Sequence, residues 1–96
     1  MNNFAIALNA GTPTQRNEIT NYLSNQKWAY WHWIDDFWVV QVPNDYTPKT
    51  LHDKLEQETD IDTPTMLIFE FTGRVNFWGR NKDEAWKWLD HLGTAK

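Results

Sequence analysis

The side chains able to do chemistry are few in this sequence, and several of them crowd into one stretch. His32 lies between Tyr30 and the pair Asp35-Asp36, inside an aromatic run from Trp28 to Trp38. An imidazole titrates near neutrality, so His32, with a phenol and a carboxylate beside it, has the makings of a general acid–base. A histidine packed into a sheet or an interface is the commoner use of such a residue, and it is the reading favoured here. Asp35-Asp36 brings two hard oxygen ligands to one turn, the kind that a divalent cation takes. Adjacent strand residues point to opposite faces and no third acid is near in sequence, so a polar turn is the expectation. His52 and His91 fall on or near the polar sides of helical segments and read as surface residues. No His-x-x-x-His pair, Gly-rich phosphate loop or nucleophile elbow occurs. With no cysteine, disulfides, thiolate metal sites and thiol catalysis are excluded. No catalytic residue, metal site or cofactor is assigned.

Binding chemistry has two further candidates. Arg74, Arg80 and Lys82 surround Phe77 and Trp78 with no acid between positions 74 and 82. Arg74, Trp78 and Arg80 therefore form a basic-aromatic patch suited to stacking, because cations flank the indole. The chain as a whole carries a net charge of −4, which repels a phosphate backbone. Between Pro43 and Thr63 six acids stand against Lys49 and Lys54, which equals that whole net charge. Such a run reads first as a solvated helix and loop.

These groups must be held by one domain of 96 residues, spanning 1–96. The composition is 41% hydrophobic and 16% aromatic, with seven tryptophans. Each buried aromatic removes roughly 150–250 Å² from water, so a few of them supply a core that a short chain otherwise lacks. No apolar run approaches the roughly 18 residues of a membrane helix, and the start MNNFAIALNAG is uncharged and too short for a secretory signal. The expectation is a soluble, cytoplasmic protein.

Phe4 to Asn9 reads as a strand. Thr12-Pro13-Thr14-Gln15 is a helix start with a cap, a proline at the first position and a box-closing Gln. Ile19, Tyr22 and Leu23 continue that helix to about Gln26. Trp28 to Val42 is β-branched and aromatic and predicts a hairpin about Asp35-Asp36. Ile34 then faces Phe37, Trp33 faces Trp38 and Trp31 faces Val40. One face carries Trp31, Trp33, Trp38, Val40 and Val42; the other carries Tyr30, His32, Ile34, Phe37, Val39 and Gln41. A longer loop shifts this register by one. Thr47-Pro48 starts a second helix through Leu51 and Leu55 to about Glu58, and Thr65 to Phe71 is the clearest strand. Val75 to Trp78 is an optional short edge strand. Asn81 with Glu84 predicts a capping box for a last helix that Gly93 ends.

The order βαββαβ, with the edge strand and a C-terminal helix, is the α+β ferredoxin-like pattern: an antiparallel sheet with helices on one face. Its other face is left open, yet both faces of the hairpin are apolar. The last helix, a partner or a ligand must cover it.

The opening strand FAIALNAG, the run Trp28…His32…Phe37-Trp38-Val39-Val40 with its W-x-x-x-H spacing, and Thr65 to Phe71 make a pattern with Trp78-Gly79 and the helix ending Trp86-Lys87-Trp88-Leu89. Over nearly its whole length the chain resembles the SinR-like and VapD-like relatives of the small CRISPR adaptation ribonuclease, the lesser partner of the spacer integrase. The resemblance implies a ferredoxin-like fold and a homodimer. In catalytic members an aspartate at the end of the first strand pairs across the dimer around a divalent metal. Asn9 stands at that position here. A neutral amide is a far poorer Mg²⁺ ligand than a carboxylate, which puts nuclease activity in doubt.

The reading that follows is a non-catalytic, dimeric binding module. Tyr30, His32, Ile34, Phe37 and Val39 are its expected homodimer or partner surface, with Arg74, Trp78 and Arg80 as a second patch. A homodimer is the expected assembly, with a protein partner as a further candidate. Nucleic acid is disfavoured by charge, and no membrane is involved. The alternatives are a divalent-metal-dependent endoribonuclease of the family above and a small acidic inhibitor of viral origin that binds a host defence complex.

Overall fold

The computed structural model describes residues 1–59, 65–72 and 79–94, with side chains as far as Leu89. The elements are β1 (Asn2–Leu8), α1 (Pro13–Asn25), β2 (Tyr30–Ile34), β3 (Phe37–Val42), α2 (Pro48–Glu58), β4 (Met66–Phe71) and α3 (Asp83–Thr94). The four strands form one sheet in the order β2-β3-β1-β4, with β1 antiparallel to both β3 and β4 and β2 antiparallel to β3. This is the ferredoxin-like α+β arrangement, with a C-terminal helix added. The optional strand Val75 to Trp78 lies outside the described residues. Among the described residues no helix is long and apolar enough to cross a membrane.

Local chemistry starts the first two helices where the Thr-Pro steps predict. Thr12 accepts from the Gln15 N–H at 3.1 Å and donates its own N–H to Gln15 Oε1 at 2.8 Å, a closed capping box. Thr47 accepts from the Thr50 N–H at 3.1 Å. The third helix departs from expectation. Asn81 Oδ1 bonds the neighbouring Lys82 N–H at 2.8 Å, the first turn opens with the Ala85 N–H on the Lys82 carbonyl, and the helix runs past Gly93. The short Asn81 side chain thus makes a local turn instead of a cap.

The main core lies between the sheet and α1 and α2. Phe4, Ile6, Leu8, Trp38, Val40 and Val42 meet Ile19, Tyr22 and Leu23 of α1 and Leu51 and Leu55 of α2. At one end Trp28 sits edge-on to both Tyr22 and Tyr46, with centroids at 6.1 and 5.0 Å.

The hairpin register corrects the expected faces. Ile34 does pair with Phe37, but Trp31 pairs with Val39 and Tyr30 with Val40, because a bulge intervenes between Trp31 and Ile34. An extra residue on β2 reverses the facing of everything before it. Trp31 therefore leaves the side of Trp38 and Val40, and Tyr30 and His32 join it.

The second sheet face is covered in part by α3. Trp31, Val39, Ala85 and Leu89 form a separate buried cluster, flanked by Phe37, Phe71, Trp86 and Trp88. Trp31 Nε1–H donates to the Ala85 carbonyl at 2.7 Å, so the indole fixes the helix as well as packing against it. On the same face Asn3, opposite Gln41 and Phe71, has a buried Oδ1 with no hydrogen-bond partner among the described residues. An orphaned buried acceptor costs about 1–3 kcal/mol. Asn3→Val is therefore expected to stabilise the fold by about 1 kcal/mol, read as a higher urea midpoint at unchanged slope.

Candidate functional site

The hairpin turn and the β1–α1 loop are joined by a charged clasp. Asp36 receives Arg16 Nε at 2.9 Å and the Gly11 N–H at 3.3 Å, while Arg16 Nη2 donates to the Gly11 carbonyl at 2.9 Å. The Asp36 carbonyl takes the Leu8 N–H at 2.8 Å. Gly11 is required by this closeness, since a Cβ there would lie 2.6 Å from Asp36 Oδ1 and 2.9 Å from Leu8 Cδ1. The neighbouring Ala10 takes φ 55°, a left-handed conformation that costs a non-glycine residue roughly 1 kcal/mol. The hydrogen bond from Arg16, joined by that from Gly11, holds the Asp36 carboxyl below its ordinary value.

A depressed carboxyl stabilises the fold above its unfolded pKa, and the contribution is lost as pH falls through the lower folded one. Acid destabilisation below about pH 4 is therefore expected to include Asp36. Asp36→Asn should flatten that part of the profile, measured as urea midpoints at pH 6 and pH 3. A variant whose midpoint falls with acid as steeply as the wild type would rule the clasp out as a contributor.

Next to the clasp, His32 stacks on Trp38 with centroids at 4.4 Å and planes 13° apart. Its Nε2 lies 2.9 Å from the Asp35 carbonyl, which makes that nitrogen the proton carrier. Its Nδ1 lies 3.5 Å from Thr20 Oγ1, which in turn takes Trp38 Nε1–H at 3.1 Å. Both ring nitrogens face groups of the fold itself. This matches the packed-histidine reading. The Asp36 carboxylate is likewise engaged by Arg16 and Gly11, as a polar turn requires. Asn9 lies just past the end of β1, exposed, with its N–H on the Thr65 carbonyl at 3.0 Å.

The five residues expected to share a binding surface do not share one. Tyr30 is half-buried on the helix side, its hydroxyl 3.1 Å from Ser24 Oγ, and His32 is on that side too. Phe37 and Val39 lie on the second face, with Val39 5% exposed in the cluster formed with α3. Ile34 alone stands out, 54% exposed. Of the basic-aromatic patch, Arg80 is exposed and Arg74 and Trp78 lie outside the described residues. Arg80 adjoins Asn81, whose amide reaches the Trp33 carbonyl at 3.4 Å.

At one end of the second face lies an apolar row whose middle, Phe37 and Ala7, is half-buried and whose two ends are exposed. Ile34 pairs with Phe37, Phe37 with Ala7, and Ala7 with Leu67, so the row crosses all four strands. Leu67 is 61% exposed, and Phe69, one step along β4, is 43% exposed. Leu67, Phe69 and Ala7 were not among the expected surface residues. The signal was present in Met66 to Phe71, which is apolar on both faces apart from Glu70. No comparable signal marks Arg16, whose partner Asp36 is twenty positions away.

The polar side of α2 carries its own compensation. Lys49 meets Asp53 at 2.6 Å and Lys54 meets Glu58 at 3.9 Å, both at i,i+4 spacing. The hydrogen bond from Lys49, then that from His52, lowers the Asp53 carboxyl from its ordinary value.

Compared with known proteins, the chain matches no family model, no curated protein and no solved structure.

Proposed function

We propose that the chain is a non-catalytic, dimeric binding module of the cytoplasm that acts through macromolecular contact. The observation that carries this reading is the apolar row Ile34–Phe37–Ala7–Leu67, exposed at Ile34 and Leu67 and extended by the exposed Phe69. Exposed contiguous apolar surface of this kind marks contact sites. The row also suits a second copy of itself. A two-fold axis running along the strands between β3 and β1 sets Ile34 over the copy's Leu67 and the large Phe37 over the small Ala7. The two exposed aliphatic side chains thus meet each other at the ends of the row and Phe37 meets a small residue at its middle, a self-complementary arrangement of the kind an isologous interface requires.

The catalytic alternative finds less support. Asn9 has no carboxylate, His32 is hydrogen-bonded on both sides, and Asp36 is paired. The acidic-inhibitor alternative would use the acids between Asp45 and Asp62, of which Asp53 and Glu58 already have lysine partners and Asp60 and Asp62 lie outside the described residues.

Light scattering at several concentrations tests the proposal. The wild type is expected at about 23 kDa, twice the 11.5 kDa chain. Leu67→Glu and Ile34→Glu should each give a folded monomer with stability changed by no more than about 0.5 kcal/mol, as for exposed positions. Wild type at 11.5 kDa throughout would overturn the homodimer, and a dimer indifferent to both charges would overturn its location.

A further inference from the structure

We draw no further inference here: the strongest candidate, the His52, Asp53 and Glu56 cluster on the solvent side of α2, is a group of surface side chains on one helix that already pair with one another and with Lys49, and no second observation points to a metal ion.

Discussion

Trp38→Ala is expected to lower the unfolding free energy by about 3–5 kcal/mol. The residue is fully buried in β3, a central strand, opposite Ile6 in the cross-strand pairing. Its loss removes one of the largest side chains of the main core and leaves a cavity that α1 and the sheet cannot both close. It also removes the plane on which His32 stacks and the N–H that reaches Thr20 of α1. A domain of this size has about 5–15 kcal/mol in total, so the variant should unfold at a much lower urea concentration. Trp38→Phe separates the contributions, because it keeps a ring for His32 and loses the indole N–H. Its cost should be closer to the 1 kcal/mol typical of a net hydrogen bond plus a small packing defect. Far-UV circular dichroism in urea reads both variants. An alanine variant with an unchanged midpoint would mean that Trp38 does not anchor the core.

Trp31→Ala is expected to cost about as much, roughly 3–5 kcal/mol, but in a different place. Trp31 is the largest residue of the cluster that joins the second sheet face to α3, and it supplies the hydrogen bond to the Ala85 carbonyl. Among the described residues, Val39, Ala85 and Leu89 are buried with it in that cluster. Such a small satellite cluster opens locally before the global fold does. Amide hydrogen exchange should therefore show α3 losing protection while α1 and β1 keep theirs. Loss spread evenly over α1, β1 and α3 would contradict the separation into two cores. Opening α3 also exposes Val39 beside the apolar row. The variant should consequently bind hydrophobic dyes more strongly than the wild type.

Much of the architecture is legible in the amino-acid sequence. The two Thr-Pro starts, the i, i+3, i+4 stripe of α1, and the two-residue Asp35-Asp36 turn depend on groups a few positions apart. Their hydrogen bonds close within one turn of chain, so the local residues suffice to specify them. The order of strands and helices then follows, and with it the ferredoxin-like sheet. The binding surface was legible only in part. Ile34 and Phe37 lie in the apolar row, but Val39 is covered and Tyr30 and His32 turn toward α1.

By itself, then, the sequence determined the elements, the strand order and the apolar character of the second sheet face. Tertiary structure alone decided which residues line that face. A bulge adds one residue to β2 with no mark in composition, yet it reverses the facing of Tyr30, Trp31 and His32. The side on which α3 docks, and how far it reaches, depend on Trp31 meeting Ala85 across 54 positions. Asp36 finds Arg16 in the same non-local way. Contacts of that kind are set by how the finished layers fit together, because no periodicity within a short window records them.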